Sequence, residues 1–215
     1  MSRKDNSTVN LNHIDEKDVD GNKFFDFCKD YEGVILNNDI PYFNVNGLVP
    51  HFFEKFSNLD IYGRCGEALA CICKESLPIK KRAAIGQVIP SGWHSVKYDC
   101  IKGGYLYNRS HLIGFQLTGQ NSNEKNLITG TRFVNVNQML KYENLIVDYV
   151  KSKNNHVLYR VTPVFENENL VASGVILEAL SLEDRGEGIC FNRYIYNIQP
   201  QIHIDYKTGN SKEIV

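Results

Sequence analysis

The stretch Tyr107-Asn108-Arg109-Ser110-His111-Leu112-Ile113-Gly114 sets one histidine beside one arginine, just ahead of a polar loop and an asparagine-dense segment from Asn121 to Asn137. Imidazole is suited to general-base work because its unperturbed pKa lies near neutrality. The amide oxygen of Asn135 is a hard, neutral ligand of the kind that magnesium accepts while keeping several waters. Together these groups suit phosphodiester hydrolysis. That reaction needs a deprotonated water in line with phosphorus, neutralised phosphoryl oxygens and a stabilised leaving group. A histidine answers the first need and a divalent cation the other two. An asparagine ligand leaves the cation's charge largely intact and so keeps it a strong electrophile. Asn135 has a second use, as a cap at the helix start, and the residues alone leave both uses open. Glu143 lies eight residues further on, about 80° away around a helix, so the two share a broad face. There Glu143 holds a metal-bound water or orients a ligand, or else remains a solvated carboxylate paired with Lys141.

The elements that must position these residues follow from pattern. Tyr105 to Ile113 alternates aromatic and polar residues, which predicts a strand ending near His111. Thr118 to Lys125 is a loop and Asn126 to Thr131 a short strand. From about Asn135 the apolar positions Met139, Tyr142, Ile146, Tyr149 and Val150 recur at helical spacing, with no Gly or Pro from Phe133 through Lys153. Strand-like runs cover His156 to Phe165, Leu170 to Leu180 and Ile189 to Ile198, the first two interrupted at Thr162-Pro163 and Ser173-Gly174, and Ile202 to Tyr206 precedes a polar tail. Glu32 to Val45 predicts a hairpin or two edge pieces. Phe52, Phe53 and Phe56 predict a short core-facing helix. Ala68 to Cys73 predicts a buried strand, with a helix as its alternative. Pro90-Ser91-Gly92-Trp93 is a turn with the sole tryptophan as a core anchor. The sum is a sheet-dominated α+β chain with one key helix.

Composition narrows the function classes. The chain has 215 residues, 42% hydrophobic and 23% charged, enough for a core without staples. Lys+Arg is 24 against Asp+Glu at 25, so a protein that merely coats nucleic acid is disfavoured. An enzyme needs only a local basic groove. No run is long enough to span a bilayer, and no apolar secretory segment follows the start. Residues 1–22 are expected to be a disordered leader and residues 23–215 one domain. The six cysteines lack paired zinc-site spacing and are expected to be buried or free thiols. His13, His51, His94, His156 and His203 have no partner at metal spacing and are assigned to exposed or structural positions. Neither Gly-x-Ser-x-Gly nor a Walker-type loop occurs.

The run Asn108-Arg109-Ser110-His111 resembles the Asp-Arg-Gly-His motif of the DNA/RNA non-specific endonucleases, the ββα-metal or His-Me finger nucleases, and is closest to their streptococcal secreted DNase and DNA-entry branch. Asn123 to Thr131, Asn135-Val136-Asn137-Gln138-Met139, Tyr159 to Pro163 and Ile204 to Gly209 are similar to that branch as well. The likeness runs from about Asp60 to the end. It implies an antiparallel sheet carrying a ββα-metal core at about residues 104–152. It implies Mg2+, with Mn2+ as a substitute, and a DNA substrate, with RNA as a second one, gripped by its phosphate backbone. It also implies secretion or cell-surface presentation. His111 would be the general base and Asn135 the direct metal ligand. Asn126 would support the site and Glu143 would hold metal-bound water. Arg109 would contact phosphate or brace the site. Lys125, Arg132 and Arg160 are assigned to the groove by position. Asn108 in place of Asp and Ser110 in place of Gly are expected to alter metal preference or pH dependence and to spare the chemistry. Two rivals are a non-catalytic binding module on the same fold, and a toxin or effector nuclease domain with an immunity or inhibitor protein.

Overall fold

Two adjacent apolar ladders organise the molecule. Strand β6 (Val157–Val164) is paired on one side with β7 (Gly174–Ser181) and on the other with β3 (Ala68–Ile72), all antiparallel. Strands β8 (Cys190–Tyr196) and β1 (Val34–Ile35) extend the sheet beyond β7, and β2 (Phe53–Phe56) closes the other edge. The order is β1-β8-β7-β6-β3-β2. This computed structural model describes residues 33–214. The expected leader, with His13 and Cys28, lies outside them.

Side chains alternate across a strand, so one face of the sheet gathers Ala68, Ala70 and Ile72 with Val157, Tyr159 and Val161 and with Val175, Leu177 and Ala179. Against it pack Leu112, Ile113 and Leu117, together with Tyr142, Ile146 and Val150 of helix α2 (Leu140–Lys153). Full burial of such a side chain contributes roughly 1.5–3 kcal/mol. The three alanines let the layer above approach closely. In that layer β4 (Tyr107–His111) pairs with β5 (Leu127–Thr131), Tyr107 opposite Thr131 and His111 opposite Leu127. The short helix α1 (Phe115–Thr118) follows β4, and α2 follows β5 through a π-helical turn, Val134–Met139. The fold is α+β, with an antiparallel sheet supporting a ββα unit.

Several expectations change. The phenylalanine run is a strand, not a helix, because Phe53 to Phe56 is fully laddered to β3 and a segment that short cannot nucleate a helix by spacing alone. Of the Glu32 to Val45 stretch, the described residues, from Gly33 on, supply a single edge strand, Val34–Ile35. The second piece instead sends the Tyr42 N–H to Glu178 and lays Phe43 under the Arg160 guanidinium. Pro163 does not interrupt β6, because β3 stops pairing at Val161 and leaves that side of the strand as a free edge. The polar tail is not wholly irregular: β10 (Ser211–Glu213) pairs with β9 (Ile202–Ile204). Ile202 and Ile204 form a second apolar cluster with Ile101, Leu106 and Tyr107, against which Trp93 packs, and the Tyr107 hydroxyl donates to the Gly209 carbonyl at 2.9 Å. The C-terminal hairpin therefore backs the strand that ends in His111. Cys65, Cys71 and Cys73 are buried free thiols, and Cys100 and Cys190 are exposed free thiols. Among the described residues no group of three or more His, Cys, Asp or Glu stands ready for a metal, and no helix is long and apolar enough to cross a membrane.

Candidate active site

His111 is the last residue of β4 and is buried. Its Nε2 lies 2.8 Å from the main-chain carbonyl of Asn121. A carbonyl only accepts, so Nε2 carries the proton and Nδ1 keeps its lone pair. Burial holds the imidazole below its ordinary pKa. The nearby Arg82 charge adds to that effect, while the Asn121 and Gln120 carbonyls oppose it. The result is a neutral imidazole at neutral pH, with its basic nitrogen facing away from the carbonyl that fixes it.

Ser110 occupies the other face of β4. Its fully buried hydroxyl donates to Asn135 Oδ1 at 2.8 Å and lies 3.8 Å from Met139 Sδ. A side chain at position 130 would crowd Ser110, its Cβ falling 2.6 Å from the Ser110 Cβ; Gly130 leaves that space open. Asn135 is not the helix cap. Phe133 already has helical angles and makes no side-chain cap bond. Thr131 Oγ1 accepts the Val134 N–H at 3.1 Å, and Gln199 Oε1 accepts the Phe133 N–H at 3.1 Å. These two residues do the capping and leave the Asn135 oxygen for other work. The π-helical turn also changes the angular arithmetic. Its i to i+5 spacing turns less per residue than an α-helix, so the 80° separation expected between Asn135 and Glu143 does not apply across it.

Glu143 on α2 is buried, and burial pushes its carboxyl up to about 8. The Gln116 amide, the Gly114 N–H and the Arg82 charge all act against that rise. Gln116 Nε2 reaches Glu143 Oε2 at 3.4 Å. Gly114 is required by space: a Cβ there would overlap the Glu143 carboxyl. Asn126 is entirely buried and spends both ends of its amide on one residue. Its Oδ1 accepts the Ile113 N–H at 2.8 Å and its Nδ2 donates to the Ile113 carbonyl at 2.9 Å. It thereby fixes the turn between His111 and Gly114 as an extra strand partner would.

The cations divide. Arg109 stacks on Trp93, its Cζ 4.1 Å from the ring centroid, and donates to the Val88 and Gly86 carbonyls. These contacts tie it to the 86–88 loop. Lys125 bonds Asn58 Oδ1 at 2.8 Å, and the Arg132 guanidinium lies across Gly103. Arg160 is a correction. It sits between Tyr159 and Val161 and so on the opposite sheet face, ion-paired to Glu178 at 2.6 Å and to Glu67 at 3.6 Å. Its charge is neutralised away from His111. Arg82 was missed by sequence reasoning. Its Nη2 approaches His111 Nδ1 at 3.4 Å, and its charge bears on both His111 and Glu143. The one signal for it was the basic run Lys80-Lys81-Arg82. Of the other histidines, His94 bonds the Thr208 carbonyl, His51 the Val49 carbonyl and His156 the Glu183 carboxylate.

The Asn135 amide oxygen, ordered by the Ser110 hydroxyl, is a hard oxygen donor of the kind a divalent cation accepts while retaining most of its waters, and the Glu143 carboxyl is a second buried oxygen group, near the Arg82 charge. Residues 50–182, more than half of the chain, match the family model described as DNA/RNA non-specific endonuclease. Among solved structures, NucA from Streptococcus agalactiae with magnesium bound is 27% identical, with a TM-score of 0.74 over 84% of this chain and 87% of that one. The same nuclease with no metal bound gives the same identity and TM-score over 89% and 96%. Sda1 nuclease with bound zinc shares the fold at 24% identity, with a TM-score of 0.71 over 89% and 99%. The chain belongs to the DNA/RNA non-specific endonuclease family and is a metal-dependent nuclease.

Proposed function

We propose that this chain hydrolyses the phosphodiester bonds of DNA, and of RNA as a second substrate, with little sequence preference and with Mg2+ as its cation, Mn2+ substituting. The observation that carries this reading is the state of His111: buried, neutral, protonated at Nε2 by its bond to the Asn121 carbonyl and basic at Nδ1. In it, His111 takes the proton of an attacking water at Nδ1. Asn135 Oδ1 would be the direct ligand of the cation and Glu143 would hold one of its waters; the cation, when bound, supplies charge neutralisation at the phosphoryl oxygens and the leaving group. Asn126 sets the turn that presents Gly114 to Glu143. Arg82 meets the phosphate beside the base, the role that was one of two expected for Arg109, and Lys125 and Arg132 add charge further out. Arg109 holds the loop that borders the site. A grip on backbone phosphate predicts binding that weakens steeply with salt. Secretion or cell-surface presentation belongs to the same reading. It is supported by likeness to a branch of secreted nucleases.

Digestion of plasmid, single-stranded DNA and RNA with Mg2+, Mn2+ or EDTA tests the proposal. Nicking and degradation that stop in EDTA are expected. DNA that shifts in a gel but stays intact under every metal would establish the binding-module alternative instead.

A further inference from the structure

The residue whose carbonyl fixes His111 also grips a second loop through its side chain. Asn121 Oδ1 accepts the Ala83 N–H at 3.2 Å, and its Nδ2 lies 3.4 Å from the Ala84 carbonyl. Both groups immediately follow Arg82, an exposed residue in the segment between the Lys74–Ser76 turn and β4, which has no helix or extended strand of its own. The backbone of Asn121 is secured independently. The Gly119 N–H bonds the Phe115 carbonyl at 2.8 Å, and the Gln120 side chain donates to Glu54 on β2. Loss of the Asn121 side chain therefore leaves the acceptor for His111 in place and releases only the Arg82 loop.

We infer that the side chain of Asn121 is a positioning residue that couples Arg82 to the general base, an inference that rests on the phosphodiesterase reading above. A single residue then sets both partners of the site. Its main chain selects the tautomer of His111, and its amide holds the guanidinium 3.4 Å from the nitrogen that the tautomer leaves basic. An arginine on a loop without such a tie would spend much of its time elsewhere, and a misplacement of about 1 Å is worth up to about 100-fold in rate.

The test is a double-mutant cycle on the full chain with plasmid DNA and Mg2+, using Asn121→Ala, Arg82→Ala and the pair. Asn121→Ala should lower kcat/KM by about 10-fold to 100-fold and leave the melting temperature within about 2 °C of the parent. In the Arg82→Ala background the same change should cost less than about twofold, because the group it positions is gone. Trypsin supplies a readout apart from activity: cleavage after Lys80, Lys81 or Arg82 should accelerate in Asn121→Ala. Should that variant lose stability, Asn121→Ser, too short to span both backbone groups, is read through the same cycle. Losses that simply add, or trypsin cleavage unchanged alongside full activity, would overturn the coupling while the nuclease reading stands. A parent that cuts nothing with any metal would overturn the nuclease reading and this inference with it.

Discussion

The imidazole of His111 and the main-chain carbonyl of Asn121 are 2.8 Å apart across ten residues of chain. That one bond decides which ring nitrogen is free to act. Replacing His111 by Ala removes the base and leaves the carbonyl unpaired at a polar loop, where water can satisfy it. Cleavage of plasmid DNA should fall by about 100-fold to 10,000-fold with folding intact by circular dichroism. His111→Gly opens space for added imidazole, which should restore part of the lost rate. A His111→Ala variant that cuts at the parent's rate would remove His111 from the base role.

The pH dependence of His111 has a definite sign. Burial lowers its pKa from the ordinary 6.5, and the neutral ring is the active form. Activity should therefore persist below pH 6.5 and fall only as pH drops through the lowered value. Histidine-selective NMR titration of the metal-free protein measures this directly. A midpoint above 6.5 would contradict the burial argument.

Glu143 behaves in the opposite sense. Its carboxyl is raised from 4.5 to about 8 by burial, so the folded protein keeps a proton that the unfolded chain releases from about pH 4.5 upward. Stability of the metal-free protein should therefore decline between those two values and level off above about pH 8. Glu143→Gln removes the titrating group at nearly constant shape. Denaturation in EDTA should show the variant gaining on the parent as pH rises from 5 to 8, by up to a few kcal/mol, together with loss of metal-dependent cleavage. Parallel stability curves would show that Glu143 is already ionised in the folded state.

How much of this was legible in the residues differs by element. The β4 strand ending at His111, the β5 strand and the helix after it followed from alternation and spacing, because each is an amphipathic segment laid on a core. The use of Asn135 was not legible. Excluding the cap required seeing that Thr131 and Gln199 had taken the capping bonds, one of them from 66 residues away in sequence. The cations were misjudged for the same reason. Arg160 has a neutralising carboxylate only once β6 and β7 are in register, and Arg82 approaches His111 only through a loop with no periodic pattern. Local order is written in local pattern, whereas the partner of a charge is set by tertiary contact.

Asn135 and Ser110 allow a metal-binding test. The helix is capped elsewhere, so the stability cost of Asn135→Ala is that of leaving the buried Ser110 hydroxyl without its oxygen acceptor, about 1–3 kcal/mol, while calorimetric titration of Mg2+ or Mn2+ on the folded variant should lose its signal. A variant that binds the cation as the parent does would take Asn135 out of the ligand role. Ser110→Gly, which restores the residue of the motif it resembles, should bind metal more weakly than the parent if the buried hydroxyl orders the amide, and identically if it does not.

Gly114 offers the last prediction, because its requirement is one of space and not of backbone angle. Its φ is −58°, which any residue adopts, yet a methyl group there would overlap the Glu143 carboxyl. Gly114→Ala must therefore displace that side chain from the Gly114 N–H and the Gln116 amide. The surrounding core of Leu117, Ile113 and Ile146 is fully buried, so overpacking should cost about 1–3 kcal/mol. Metal-dependent cleavage should fall together with stability. Pairing it with Glu143→Ala, which vacates the space, should recover stability but not activity. Stability lost in Gly114→Ala and not regained in the pair would locate the strain in the α1 turn instead of at the carboxyl.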